Sequence, residues 1–320
     1  MNKKRIRPDE CYNNGSSHTR DERNAYRAMP ELMKMRVKRN PMMRGFIINT
    51  LFLILSLCCA TAISACSASD NTIEQEGAPA GEKVAEIRER GTLLVGTTGD
   101  YRPLSFREAD GTYWGFGIEV ANEIAGYLGV KIAFVQTSWP TLTADVLAEP
   151  QTFDLAIGGI TITDARRETM LMSEGYLANG KTILCRASEK DRYKSLADID
   201  KPEVHVMVNP GGLNEKFAKA NLTHATISVW QKNEEIPSLI ADGKADVMIT
   251  EITEAPYYVQ ADARLAAPLL SEPFTHGEIG VLMRKGQEDL LQAVNNAIKK
   301  MKSDGTLRRL HEKYGLVYAY

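Results

Sequence analysis

The chain has 320 residues, of which 43% are apolar and 25% charged; this length predicts about two domains and the composition excludes wholesale disorder. Its five cysteines are too few for a disulfide scaffold, and no pair has metal-ligand spacing. The formal net charge of −2 hides an asymmetry, with 12 Lys/Arg against 5 Asp/Glu in residues 1–65 and 27 against 36 in the remainder. A basic leader before an acidic body argues against nucleic acid as a partner, because phosphate binding needs a basic face.

Residues 46–65, FIINTLFLILSLCCATAISA, form the only long apolar run. Arg44 precedes it and small residues close it, which is the layout of a signal peptide. Uncleaved, the run is long enough to span a membrane. The ending Ile63-Ser64-Ala65-Cys66 resembles the lipobox of bacterial lipoproteins, whose cysteine is lipidated after cleavage. This implies a leader and signal peptide over 1–65 and a mature chain held at the membrane through acyl chains on Cys66; two or more chains anchor stably where one does not. Residues 1–41 are polar and irregular, and Met42 or Met43 is a candidate start. Residues 66–83 are small and polar and read as a flexible tether. Cys58 and Cys59 fall in the leader, which leaves Cys185 in the body as a buried, inert side chain.

From residue 84 onward, short β-rich runs alternate with amphipathic helical patterns. The predicted strands are Thr92–Thr97, Lys131–Gln136, Phe153–Gly158, Thr182–Arg186, Val204–Val208, Thr226–Val229, Asp246–Ile249 and Ile279–Met283. The predicted helices are Gly117–Leu128, Thr141–Leu147, Leu213–Ala220, Glu234–Asp242, Glu251–Gln260, Gln287–Ser303 and Thr306–Tyr314. In the first of these, Ile118, Ala121, Ile124, Ala125 and Leu128 share one face, and Gly129 follows as a stop. Such alternation predicts an α/β fold with largely parallel sheets. Residues 92–160 and 203–250 repeat one order of strands and helices, so two lobes with a cleft between them are expected. Ligand residues should then follow the strands.

Five post-strand segments carry candidate residues. In Thr97–Pro103, Asp100 and Tyr101 offer polar groups, although a plain turn explains the glycine and proline equally well. In Thr137–Pro140, Trp139 could wall an organic ligand or simply pack. In Gly158–Arg167, the glycines permit close backbone approach. Thr163 or Asp164 can cap a helix there. Arg166 would then sit in its first turn, where the dipole disfavours a cation. A bound carboxylate would remove that conflict; pairing with Asp164 or Glu168 is the alternative. In Asn209–Glu215, a Gly-rich turn opens a helix whose free N–H groups attract an anion, or the glycines serve the turn alone. In Thr250–Ala255, Glu251 and Glu254 would share a helical face. Two shielded carboxylates cannot both ionise cheaply, so one becomes a candidate general acid; a solvated acidic face is the bland reading. The sequence lacks Gly-x-Gly-x-x-Gly, P-loop, His-Glu-x-x-His and Gly-x-Ser-x-Gly motifs, so nothing points to a nucleotide, metal or serine-hydrolase site.

The segments VGTTGDYRPLSF, GFGIEVANEIAGYLG, FDLAIGGITITDARRE, LIADGKADVMITE and LRRLHEKYG resemble those of the bacterial extracytoplasmic solute-binding proteins that capture polar amino acids for uptake transporters. The resemblance covers about residues 84–316. It implies a two-lobed, type II periplasmic-binding-protein-like fold joined by two crossover strands, with lobe 1 over 84–183 plus 275–320 and lobe 2 over 184–274. It places the family's carboxylate-binding arginine at Arg166, with Thr161 beside it, and its amino-group aspartate at Glu251.

Within that family, VGTTGDY, TSWP, NGKT, NPGGLNEKFAKANL and TEITEA are more similar to an enzyme branch, the cyclohexadienyl dehydratases. These convert prephenate to phenylpyruvate and arogenate to phenylalanine. The branch implies Glu254 as general acid and Trp139, Lys181 and Asn209 as substrate residues, with Arg166 and Lys181 neutralising carboxylates. Leu213 stands where the branch has threonine, and Glu251 where it has aspartate. Aromatisation drives the reaction, so no cofactor is implied. The other reading is a non-catalytic receptor that delivers an amino acid to a membrane ABC permease.

Overall fold

A computed structural model of the protein describes residues 81–320. The expected leader and signal peptide, Cys66 and most of the expected tether lie outside the described residues. Helix α1 (Glu82–Arg90) takes in Glu82 and Lys83, so the folded body begins earlier than its polar composition suggests. Lys83 is buried, and its Nζ pairs with Asp154 at 3.0 Å. Asp154 also takes Arg90 and the Leu94 N–H, which fixes α1 to the first sheet.

The chain then runs through β1 (Thr92–Thr97), β2 (Asp100–Tyr101), β3 (Ser105–Arg107), β4 (Tyr113–Trp114), α2 (Phe116–Leu128), β5 (Lys131–Gln136), α3 (Leu142–Val146), β6 (Leu155–Ala156), α4 (Asp164–Thr169), β7 (Leu171–Met172) and β8 (Leu177–Asn179). It continues through β9 (Lys181–Arg186), α5 (Leu196–Ile199), β10 (His205–Val208), α6 (Leu213–Asn221), β11 (Thr226–Val229), α7 (Ile236–Ala241), β12 (Val247–Glu251), α8 (Ala255–Ala261) and β13 (Leu265–Ala266). It returns through β14 (Gly277–Ile279), β15 (Leu282–Met283), α9 (Glu288–Ser303) and α10 (Thr306–Tyr314).

Two five-stranded sheets share one plan: β5-β1-β6-β15-β7 and β11-β10-β12-β9-β13. In each, a central strand lies parallel to both neighbours. The two strands beyond that core are antiparallel, so the expectation of largely parallel sheets applies to the three-strand cores alone. Strands β8 and β14 pair antiparallel, Asn179 opposite Gly277, and carry the chain from one sheet to the other and back. The fold is therefore two α/β lobes with two crossover strands, of the type II periplasmic-binding-protein class.

Three sequence expectations are corrected. Strand β9 starts at Lys181, so Lys181, Thr182 and Ile183 pair in the second sheet rather than closing the first lobe. The single strand expected over Ile279–Met283 is two strands in two sheets: β14 pairs with β8 and β15 with β6 and β7, while Gly280 and Val281 between them bond to Ile160 and Ser173. The small sheet β2-β3-β4 was hidden, since strands of two or three residues are too short to show a period.

Each lobe has its own apolar core. In α2, burial of Ile118, Ala121, Ile124, Ala125 and Leu128 follows the predicted face, and Val120 is buried beside it. In α9, Leu290, Ala293, Val294, Ala297, Ile298 and Met301 recur at helical spacing and pack in the same core. The second core gathers Ile183, Cys185, Val206, Val208, Val247 and Ile249. Cys185 is fully buried, and burial pushes its thiol up to about 12, which suits an inert core side chain.

Candidate functional site

The two sheets aim their post-strand segments at one cavity of about 290 Å³ between the lobes. Trp139, Thr161, Arg166, Lys181, Asn209 and Glu251, all named from the sequence, line it together with Tyr101, Leu213 and Asn214. A larger adjoining space of about 820 Å³ shares Thr161, Lys181, Leu213 and Glu251. Asp100 and Glu254 do not line either space.

The register of β9 against β12 builds the floor. It sets Thr182 opposite Thr250 and Lys181 opposite Glu251, at the last rung. Lys181 Nζ donates to Glu251 Oε1 at 2.5 Å and to Asn214 Oδ1 at 2.6 Å. Tyr101, from the other lobe, donates its hydroxyl to Glu251 Oε2. Thr161 Oγ1 approaches Oε1 at 3.4 Å. Burial would raise the Glu251 pKa, but the Lys181 charge and the hydrogen bonds from Lys181 and Tyr101 outweigh it and hold the carboxylate below its ordinary value. Lys181 is thus already neutralised inside the protein, which corrects its expected role as a free partner for a substrate carboxylate.

Glu251 and Glu254 do not share a helical face. The β9 ladder keeps Glu251 in a strand, a turn follows, and Glu254 is the residue before α8. Pro256 sits in the first turn of α8, where its missing N–H costs nothing, and this fixes the late start. Glu254 is fully buried. Its carboxyl accepts from Asn233 Nδ2 at 2.9 Å and from the Thr250 hydroxyl. No cation pairs with it among the described residues. Burial above all, aided by the charges of Glu251 and Asp100 and opposed by the hydrogen bonds from Thr250 and Asn233, raises its pKa to about 8.

Arg166 lies in α4, whose N-cap Thr163 accepts from the Arg166 N–H at 3.2 Å. Its guanidinium gives Nη1 to the Thr161 carbonyl at 2.5 Å. It forms no ion pair with Asp164, Glu168 or any other described carboxylate. Burial works against its charge while Glu251 supports it, so an incoming carboxylate would find a half-buried cation with unused donors. Trp139 meets Tyr101 edge-on at 5.5 Å and donates Nε1 to Asp100 Oδ1 at 3.0 Å. Asp100 therefore stands behind the tryptophan and orients it. Asn209 is buried, and its Oδ1 accepts from Asn214 Nδ2 at 3.2 Å. Gly159 has φ 103, and a Cβ there would come within 2.5 Å of the Tyr101 ring. Gly159 thus admits Tyr101, while a Cβ on Gly158 would press on Ser105 and Thr97.

The lobes touch around the cavity. Besides Tyr101 to Glu251, Asn233 Nδ2 donates to the Asp100 carbonyl at 3.2 Å, and Arg102 Nη1 to Tyr257 at 3.1 Å. Burial above all, with the nearby carboxyls of Glu251 and Glu254, pushes the Tyr101 phenol well above its ordinary value. Sequence reasoning missed Asn214, Thr250 and Asn233. Asn214 and Thr250 lie inside motifs already singled out, next to residues that were named. Asn233 lies on a short helical turn with no distinguishing pattern.

Two lobes, a cleft lined from strand ends and a half-buried arginine define a solute-binding class of protein. Residues 93–317 match the bacterial extracellular solute-binding proteins, family 3, and the chain belongs to that family. It is 39% identical over 232 residues to the cyclohexadienyl dehydratase of Pseudomonas aeruginosa, covering 72% of this chain and 85% of that protein. It is 32% identical over 229 residues to the L-cystine-binding protein TcyJ of Escherichia coli, covering 72% and 84%. Among solved structures, an ancestral amino acid-binding protein described as a precursor of cyclohexadienyl dehydratase aligns with a TM-score of 0.66 at 39% identity, covering 73% of this chain and 99% of that one.

Proposed function

We propose that the protein is a cyclohexadienyl dehydratase that acts on the extracytoplasmic side, held by a lipid on Cys66. The observation that carries this reading is Glu254: a fully buried carboxyl with neutral partners and no cation, its pKa raised to about 8. Such a group is a proton donor at neutral pH, and a plain receptor has no use for one.

In this reading the Arg166 guanidinium binds the side-chain carboxylate of prephenate. The ring carboxylate, which must leave as carbon dioxide, is left without a tight grip, since holding it would stabilise the ground state. Trp139 walls the ring and Asn209 hydrogen-bonds the substrate. Glu254 gives its proton to the 4-hydroxyl, the C–O bond breaks and water leaves. The electron pair of the breaking C–C bond to the ring carboxylate moves into the ring as carbon dioxide departs. One proton is consumed, and water returns it to Glu254. Because Glu254 lies behind the cavity wall, substrate must shift Tyr101 of the opposite lobe as it seats.

The test is to incubate the purified protein with prephenate and follow phenylpyruvate. Formation no faster than the acid-catalysed background would exclude the enzyme. The similarity to an L-cystine-binding protein favours the second reading, a receptor for a membrane permease, which predicts tight amino acid binding without turnover.

A further inference from the structure

The lobes close on the central cavity from one side and leave a space on another. Tyr101 to Glu251, Asn233 to the Asp100 carbonyl and Arg102 to Tyr257 bond them across the first side. A Cβ on Gly211 would lie 2.6 Å from Pro140 Cα, so the lobes are in contact there too. The Tyr101 side also gathers the carboxyls of Asp100, Glu234 and Glu254, against the cation of Arg102.

The adjoining space of about 820 Å³ is built differently. Asn179 and Gly277, paired in the crossover strands β8 and β14, line it. Lobes that swing on such strands separate least beside them. The space meets the central cavity at Thr161, Lys181, Leu213 and Glu251, which line both. It reaches solvent at Lys216, His276 and Gly277, which are exposed.

The rim is basic. Lys216, on α6, forms no ion pair or side-chain hydrogen bond among the described residues, and neither does His276, just before β14. His276 keeps an N–H to donate in either tautomer. Glu251, the carboxylate among the lining residues, is occupied by Lys181 and Tyr101. Asp164 and Glu278 are chain neighbours of the rim that do not line the space, and Glu278 accepts the Tyr320 hydroxyl at 2.8 Å. Ile162, Leu213 and Phe217 supply apolar walls. Such a mouth draws an anion with an apolar body, and the carboxyls on the Tyr101 side do not.

We infer that this space is an entry site for organic carboxylates, where Lys216 and His276 hold the anion before it passes to Arg166 without the lobes parting. The inference rests on Arg166 as the carboxylate site of the proposed function, and not on the chemistry at Glu254.

The test is stopped-flow binding of phenylpyruvate to the full chain, followed by tryptophan fluorescence, since Trp139 lines the cavity. Gly277 lies outside the left-handed region, and a Cβ there meets nothing nearer than the Thr161 methyl at 3.7 Å. Gly277→Phe therefore grows across the space without strain. It should slow association and dissociation alike, each about tenfold, and leave the equilibrium affinity within about twofold. Lys216→Glu should slow association about tenfold at low salt, with the difference gone at about 1 M salt. Should Gly277→Phe fail to fold, Lys216→Glu, at an exposed position, decides alone. Unchanged rates in Gly277→Phe, lost affinity at an unchanged association rate, a Lys216→Glu association rate equal to wild type at low salt, or no binding of phenylpyruvate overturns the inference. Slowed rates without prephenate turnover would sink the enzyme reading and leave this inference standing. Turnover together with unchanged rates would do the reverse.

Discussion

The Glu254 backbone N–H donates to the Glu251 carbonyl at 3.0 Å, yet the two side chains are held in opposite protonation states. Glu251 faces Lys181 and Tyr101 and stays ionised. Glu254, three residues on, faces Asn233 and Thr250 and stays protonated near neutral pH. One turn of chain thus separates a structural anion from a candidate acid, and each environment comes from a different element.

Glu254→Gln keeps the shape and two hydrogen-bonding groups while removing the titrating proton. It should lower kcat by about 10²–10⁴-fold, the usual worth of a general acid, and leave phenylpyruvate affinity nearly unchanged. Steady-state kinetics and calorimetry on the same preparation check both halves.

The Glu254 pKa also sets a pH dependence. The folded carboxyl titrates at about 8 against an ordinary 4.5, so the folded state holds a proton that the unfolded state has lost. Its contribution to stability is complete below about 4.5, declines as pH rises, and is gone above about 8. Denaturant unfolding at a series of pH values should show this decline in the wild type and a flatter profile in Glu254→Gln. Turnover should fall on the alkaline side with an apparent pKa near 8.

Lys181→Met leaves the Glu251 charge buried with Tyr101 as its remaining strong donor. Breaking a buried pair from one side costs about 3–5 kcal/mol. The double variant Lys181→Met/Glu251→Gln should recover most of that loss in a melting experiment, since it removes the stranded charge as well.

Arg166→Met should weaken binding of phenylpyruvate by about 10- to 100-fold, the worth of charge-assisted hydrogen bonds. Its effect on melting temperature should be small, because the guanidinium's protein acceptor is one backbone carbonyl.

Gly159→Ala should destabilise by more than ~1 kcal/mol, from a left-handed backbone forced on alanine and a clash with Tyr101. Phenylpyruvate binding should weaken too, since the Tyr101 hydroxyl would leave Glu251.

The gathering of Arg166, Asn209 and Trp139 at one cavity was legible because each follows a strand in a motif of distinct spelling. The repeated strand order was legible as well, through runs such as Thr92–Thr97 and Thr226–Val229. The Lys181–Glu251 pair was not, because it depends on the antiparallel register of β9 and β12, which spacing along the chain does not encode. The burial of Glu254 was expected, but not its position behind the cavity wall. That position depends on Asn233, 21 residues away, and on Tyr101 arriving from the other lobe.

Phenylpyruvate formation from prephenate by the wild type and by Glu254→Gln, side by side at neutral pH, tests the central claim most directly. The account predicts rapid turnover by the wild type and near-background turnover by the variant, with both proteins binding phenylpyruvate. Wild-type turnover at background, or undiminished turnover by the variant, would contradict it.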